Sequence, residues 1–256
     1  MPVSIAIIAL NEADRIKPCI ESTAFADDIV LVDSGSRDHT AEIAQSMGCR
    51  IFHRQWTGYA SQKQFAVDQC KNDWVMILDA DERIPSGTAD EIRRLTATPV
   101  SETAAYGFFR QNFFHNRWIK RCGWWPNHVI RLVDRRQGGF SDHLVHEHWV
   151  ARGPVKMLDV SIEHHSFRNY GDLIEKMQTY SSLASREMAR QGKKTGWWSA
   201  ISHSIWMFIR TYFLELGILE GFDGFMISMM NAQGSLMKYA KLRETILYGN
   251  EEIGKQ

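Results

Sequence analysis

The chain has 256 residues, 44% hydrophobic and 23% charged, which is enough apolar material for one large domain or one and a half. Its 30 lysines and arginines balance its 30 aspartates and glutamates, so no global field draws it to nucleic acid and any anionic partner has to be met by local clusters. Cys19, Cys49, Cys70 and Cys122 show neither a CxxC nor a zinc spacing, so they read as reduced thiols of a cytoplasmic protein without a disulfide framework. The first residues run straight into a strand, with no basic stretch, signal core or small-residue cleavage site, and a cytoplasmic catalytic face is expected.

Val3 to Leu10 is a continuous apolar, β-branched run, the pattern of a buried strand, and Asn11-Glu12-Ala13-Asp14 follows as a polar loop opening a helix through Cys19. Ile29-Val30-Leu31-Val32 repeats the pattern and ends in Asp33-Ser34-Gly35-Ser36-Arg37-Asp38-His39-Thr40, ahead of a helix from Thr40 to Met47. That loop reads either as hydroxyl and carboxylate acceptors for a ribose or base, or as a capped βα turn. Arg50 to His53 reads as a short third strand, and Tyr59 to Cys70 as a helix carrying Gln62 and Lys63. Trp74 to Leu78 is a third apolar run, and it delivers Asp79, Asp81 and Glu82 to the strand end where open α/β sheets bind ligands. Two carboxylates one residue apart can chelate a hard divalent cation that also holds substrate phosphates. The alternative is an acidic turn capping the next helix, with Asp81 or Glu82 near its first turn. The order βαβαβαβ predicts a parallel, doubly wound sheet over roughly the first hundred residues. No GxGxxG follows the first strand and no GxxxxGK[ST] occurs anywhere, so acids and hydroxyls must contact the ligand, as in a sugar nucleotide bound through a divalent ion.

Taken together, Asn11-Glu12 after the first strand, the Asp33-Ser34-Gly35-Ser36-Arg37-Asp38 loop and Leu78-Asp79-Ala80-Asp81-Glu82 resemble the family 2 glycosyltransferases of the GT-A fold. The resemblance implies an α/β, Rossmann-like, mostly parallel sheet flanked by helices, with a C-terminal helical extension. It implies a UDP-sugar donor contacted by Asn11, Glu12, Asp33, Ser34, Lys63, Asp79, Ala80 and Asp81, with Mg²⁺ or Mn²⁺ at Asp81 and Asp79. Asp33 would meet the uracil or ribose, and Asp79 and Asp81 the ribose and metal-diphosphate. Lys63 falls in a segment that lends a basic nucleotide contact; the alternative is a solvated helix lysine. Residues 1–168 are expected to form the catalytic domain, 1–100 its donor half and 101–168 its acceptor half, with 169–256 an amphipathic helical region.

After Pro85, the placement of Asp90, Glu91, Arg93 and Arg94 predicts a surface helix. Tyr106 to Arg110 reads as a strand, and Arg110, Trp124, Trp125 and Arg131 offer aromatic faces and guanidiniums that suit a sugar ring beside anionic groups; the alternative for the tryptophans is ordinary aromatic core. Asp142, His143, His146, Glu147 and His148 crowd one short stretch that is not HExxH; if extended, it puts His146 and His148 on one face and Glu147 on the other. Inverting transfer needs one carboxylate to take the acceptor hydroxyl's proton as it attacks the anomeric carbon; Glu147 is the candidate and Asp142 the reserve. The resemblance narrows here to bacterial lipopolysaccharide inner-core β-1,4-glucosyltransferases, in which a His-Glu pair like His146-Glu147 occurs. Ile162 to Phe167 follows another short apolar strand, and His165, or His164, is a candidate to complete the metal shell; a histidine that satisfies a loop carbonyl is the alternative.

Helices are predicted over 171–191, 197–219 and 224–247. The middle one is interrupted by His203, Arg210 and Glu215, which argues against spanning a bilayer. Its tryptophans, with Lys193, Lys194 and Arg210, suit an amphipathic helix in the cytoplasmic leaflet; the alternative is a helix packed on the catalytic domain or across a homo-oligomer. The resemblance extends through Arg210 to Phe213 and Gly217 to Phe225. The expected activity is inverting transfer of glucose from UDP-glucose to a heptose of the lipopolysaccharide inner core, by an enzyme peripheral on the inner membrane. The rivals are transfer to a polyprenyl-phosphate or another glycan, and a non-catalytic nucleotide-sugar-binding protein.

Overall fold

The structure, a computed structural model, describes residues 1–97, 102–141 and 148–249; Asp142, His143, His146 and Glu147 lie outside them. The chain divides into two compact units, Met1–Asn112 with Pro126–Ser166, and Phe113–Trp125 with Phe167–Gln256.

The first unit opens as β1 (Val3–Ala9), α1 (Ile16–Glu21), β2 (Asp28–Asp33), α2 (Thr40–Ser46), β3 (Arg50–His53), α3 (Tyr59–Asp68) and β4 (Trp74–Asp79). It continues through β5 (Glu82–Arg83), α4 (Ser86–Ala97), β6 (Ala105–Phe114), β7 (Arg117–Trp118), β8 (His128–Asp134), β9 (Gly138–Phe140), β10 (Trp149–Ala151) and β11 (Val155–Phe167); β7 and the ends of β6 and β11 belong to the second unit. Among the described residues the main sheet has the order β3-β2-β1-β4-β8-β6-β11-β5. β3, β2, β1 and β4 are parallel, as the alternation of strand and helix predicts, and β8 then pairs antiparallel with both β4 and β6. The fold is thus α/β with a parallel core and an antiparallel extension.

The continuous apolar strands are explained by cover on both faces. In β1, Val3, Ile5, Ile7 and Ala9 join a core with Ile16 and Cys19 of α1, Ala44 of α2 and Ile92 of α4, whereas Ala6 and Ile8 face Ala66 and Val67 of α3. A strand wrapped this way has no room for alternating polar residues. The N-terminal end of the sheet is closed by Asp28, whose carboxylate takes Arg50 Nε and Nη2 at 2.8 and 3.0 Å and the Ser4 hydroxyl at 2.8 Å. On α4 the predicted surface charges pair with each other, Arg93 with Asp90 and Arg94 with Glu91. All four cysteines are buried free thiols, and burial pushes Cys49 up to about 11 and Cys70 and Cys122 up to about 12.

In the second unit, β7 pairs back on the end of β6 through a turn with His115 and Asn116 both at positive φ, the backbone of a tight hairpin connection. The helices are α5 (Tyr170–Arg190), α6 (Trp197–Ile209) and α7 (Gly221–Tyr248), with α7 packed against both others. The expectation of one helix over 197–219 is corrected here. After α6 the chain widens into a π turn at Arg210–Leu214, reverses at Leu216 with φ 56°, and enters a 3₁₀ turn at Gly217–Glu220 before α7 begins. Glycines permit this corner, since a Cβ on Gly217 would lie 2.8 Å from the Thr211 carbonyl oxygen, and one on Gly224 would strike the Gly217 carbonyl. Gly224→Ala is therefore expected to lower stability by about 1–3 kcal/mol in urea unfolding of the full chain, whereas Gly87→Ala, where nothing lies within 4 Å, leaves it unchanged or higher.

Candidate active site

The strand order reverses between β1 and β4, since β2 and β3 lie to one side of β1 and β4 to the other. In a parallel α/β sheet such a switch point opens a crevice at the C-terminal strand ends. Asn11, Glu12, Asp33, Ser34, Asp79 and Asp81 stand at or just beyond those ends.

The two loops on the β1 and β2 side are tied together. Asn11, at φ 56°, accepts the Arg37 amide on Oδ1 at 2.8 Å and donates its own amide to Ser36 Oγ at 2.9 Å. The Glu12 amide donates to the Thr40 hydroxyl at 2.8 Å. Asp33 is buried, and its carboxylate accepts the amides of Gly35 and Ser36 at 3.1 Å, with His53 Nδ1 at 3.3 Å. The loop is thus a capped turn, as one reading expected, with Gly35 at φ 97° supplying the backbone freedom. Ser34 Oγ accepts from Gln62 of α3 at 3.0 Å.

Next to Gln62, Lys63 points inward. It is buried, with Nζ 2.9 Å from Asp79 Oδ1, so the solvated-lysine alternative does not hold. Arg131 of β8, also buried, donates Nη2 to Asp79 Oδ2 at 2.8 Å and to Glu82 Oε1 at 2.6 Å. Burial alone would push the Asp79 carboxyl up, but the charges of Lys63 and Arg131 outweigh it and hold the group well below its ordinary value. Glu82 is fully buried, accepts the Asp79 amide at 3.1 Å and has Arg110 Nη1 at 3.8 Å. With Glu82 in β5 and α4 starting at Ser86, the helix-capping alternative for the acidic turn gives way to an interior ion network. Arg110 is further held by Asn127, Nε to Oδ1 at 3.0 Å.

Asp81, on the other side of Ala80, has different company. β5 pairs with β11 so that His164 lies opposite Glu82, which brings the His164 ring to Asp81, Nε2 to Oδ1 at 3.4 Å. Arg15, buried at the start of α1, approaches Asp81 Oδ2 at 3.5 Å. Side chains alternate along a strand, so only one of the adjacent histidines can face Asp81. It is His164. His165 gives Asp81 only its backbone amide, to the carbonyl at 2.8 Å, and turns its ring to Glu163, Nε2 to Oε2 at 3.2 Å. His164 Nδ1 lies 2.8 Å from Asn112 Oδ1, and a proton donated there leaves Nε2 facing a carboxylate. That tautomer offers a cation two acceptors; the other, with Nδ1 accepting from the Ser166 hydroxyl, donates Nε2–H to Asp81. A carboxylate and an imidazole are donor types that could contribute two ligands to a divalent ion. Among the described residues no three histidine, cysteine or acidic side chains form a metal cluster on their own.

Arg15, Asn112 and Ser166, whose hydroxyl is 2.8 Å from His164 Nδ1, carry no sequence signal of a role here; Glu82 stands in the acidic stretch that the sequence singles out. Trp124 and Trp125 belong to the second unit, whereas Arg110 and Arg131 belong to the first. Trp124 stacks on Phe167 within an apolar cluster, and Trp125 meets Trp118 edge to face.

The Asp79 network has a pH signature. A depressed carboxylate contributes stability that is fully present above its unfolded value, about 3.9, and is lost as pH falls through the folded value. Lys63→Met should cost about 3 kcal/mol at pH 7 by leaving the partly buried Asp79 carboxylate compensated by Arg131 alone. In urea titrations the gap to wild type should narrow as pH drops below about 4; a gap independent of pH would mean that Lys63 acts by packing alone.

Comparison with known proteins identifies the family. The model of glycosyl transferase family 2 matches residues 4–150. An uncharacterized glycosyltransferase of Rickettsia felis is 30% identical over 264 residues, covering 99% of this chain and 93% of its own. The lipopolysaccharide core biosynthesis glycosyltransferase LpsC of Rhizobium meliloti is 31% identical over 254 residues, covering 94% and 92%. Among solved structures, glucosyl-3-phosphoglycerate synthase from Mycobacterium tuberculosis in complex with Mn²⁺ and UDP-glucose overlays with a TM-score of 0.37 at 21% identity, over 43% of this chain and 44% of that one. With its switch-point acids and full-length relatives, this chain belongs to glycosyl transferase family 2 and is a glycosyltransferase.

Proposed function

We propose that the protein transfers a hexose, glucose from UDP-glucose, with inversion to a heptose of the lipopolysaccharide inner core, at the cytoplasmic face of the inner membrane. The observation that carries the donor half of this reading is the division of labour between Asp79 and Asp81. Asp79 is committed to Lys63 and Arg131, while Asp81 faces His164. In this reading Asp79 is an ionised acceptor for ribose hydroxyls, and Asn11, Glu12, Asp33, Ser34 and Ala80 line the nucleoside and diphosphate path. Asp81 with His164, in preference to His165, would hold Mg²⁺ or Mn²⁺, which when bound supplies positive charge to a diphosphate leaving group. Arg110 and Arg131 add fixed positive charge on the β6 and β8 side, and Trp124 and Trp125 are the aromatic candidates for the acceptor sugar. The lipopolysaccharide core as acceptor is supported by the near full-length similarity to LpsC; the heptose is taken from the resemblance of the sequence to inner-core glucosyltransferases.

Glu147 is proposed as general base, with Asp142 in reserve. Its carboxylate takes the proton of the acceptor hydroxyl as that oxygen attacks the anomeric carbon and the nucleoside diphosphate departs from the opposite face. No covalent enzyme intermediate forms. Residues 1–168 would carry both substrates, and 169–256 the approach to a lipid-borne acceptor.

Calorimetric titration with UDP-, GDP- and ADP-glucose, each with and without Mn²⁺, tests the donor class; selective, Mn²⁺-dependent binding of UDP-glucose is expected, and indifference to the base or to the ion would sink it. Asp81→Ala should abolish the Mn²⁺-dependent component. Glu147→Gln should leave binding intact and lower transfer by about 10²–10⁴-fold; wild-type transfer by that variant would move the base elsewhere. Glucosylation of a polyprenyl-phosphate in place of heptosylated core would overturn the acceptor.

A further inference from the structure

The second unit leaves large apolar side chains in water along α6 and the corner beyond it. Trp198, Ile201, Ile205 and Ile209 recur at helical spacing and are exposed, Trp198 by 65%. They lie on the side of α6 away from Ala200, Ser204 and Thr211, which are buried or partly buried, with the Ser204 hydroxyl bonding the Ala232 carbonyl of α7. The exposed set continues past the π turn to Leu219 at 66% and Phe222 at 67%. A surface helix ordinarily turns such a stripe inward, so this one is built for a partner.

The corner is held firmly. Arg210 Nε bonds Glu215 Oε1 at 2.7 Å, Arg117 Nη2 bonds Asp223 Oδ2 at 3.0 Å, and the Lys120 amide bonds Glu220 Oε1 at 2.9 Å. Leu219 and Phe222 are thus presented on a hydrogen-bonded frame. α6 itself, from Trp197 to Ile209, contains no aspartate, glutamate, lysine or arginine, and the charge at its N-terminal border is of one sign. Lys193 and Lys194 are exposed just before it, and Lys193 is near enough to Lys238 of α7 for its charge to act on that amine.

We propose that this face docks on an anionic lipid bilayer, with α6 lying in the plane of the interface. Thirteen residues of helix reach only about 20 Å, against a hydrocarbon core of about 30 Å, and no described helix is long and apolar enough to cross a membrane. Trp197 and Trp198 beside lysines are the side chains that favour the boundary between headgroups and acyl chains. The lysines at the border of this face are complementary to acidic headgroups. The inference rests on the lipid-borne acceptor proposed above for its purpose, but its test contains no sugar or nucleotide, so the two fail separately.

The full chain is sedimented with phosphatidylethanolamine vesicles with and without phosphatidylglycerol, in low and high salt. Wild type should pellet with the anionic vesicles, less so in high salt, and its tryptophan emission should shift to the blue. Trp198→Glu with Leu219→Glu should lower partitioning on the order of tenfold or more, and Lys193→Gln with Lys194→Gln on the order of tenfold, only on anionic vesicles. The lysine pair is exposed, so its effect is read even if the first variant unfolds. Wild type remaining in the supernatant with anionic vesicles would overturn the proposal, as would a lipid-free dimer that either variant dissolves.

Discussion

Asp79 is a carboxylate at the end of a buried strand, and the rest of the catalytic end is arranged to let it stay charged there. An isolated carboxylate in that position would take up a proton, since burial penalises the ion far more than the acid. Lys63 from α3 and Arg131 from β8 prevent this by sitting against both oxygens. Arg131 in turn needs Glu82, and Glu82 is acceptable in the interior because it receives Arg131 and the Asp79 amide. The network ties together four elements, α3, β4, β5 and β8, at the switch point of the sheet. It leaves Asp81, two residues further on, to face His164.

Charged groups at the opposite end of the sheet look similar in sequence but do different work. Asp28 is as buried as Asp33, yet its oxygens are taken up by Arg50, Ser4 and the Lys71 amide, a closed arrangement at the N-terminal ends of the strands. Position along the strand separates a structural acid from one that can meet ligand, because the crevice exists only where the strand order reverses.

Much of the parallel half was legible. Three apolar runs without helical spacing, the short Arg50–His53 strand and the helical segments between them point to a doubly wound sheet, and Asp33, Asp79 and Asp81 stand at the strand ends. What escaped reading depends on contacts far apart in the chain. Nothing near Lys63 announces that its amine turns inward, since the helix that carries it is polar; its partner is 16 residues away across a strand. The choice between His164 and His165 rests on the register of β11 against β5, which sequence periodicity cannot supply. The break after α6 was missed because Arg210 to Leu219 has helical composition, and the reversal at Leu216 is imposed by the packing of Gly217 against Gly224. The base candidates Glu147 and Asp142 rest on the sequence and its resemblance.

The wiring of the ion network also bears on how the chain is born. Arg131 lies 52 residues beyond Asp79 and 49 beyond Glu82, on the strand that covers the open edge of β4. During vectorial synthesis the nucleotide-side elements β1 to β4 leave the ribosome first, with an uncovered strand edge and two acids destined for the interior but lacking their guanidinium. The first hundred or so residues, although contiguous and rich in regular structure, thus carry Asp79 and Glu82 without Arg131 and β4 without its β8 neighbour. A chain truncated before β8 would keep an unpaired β4 edge and two acids without their guanidinium, the features that favour aggregation.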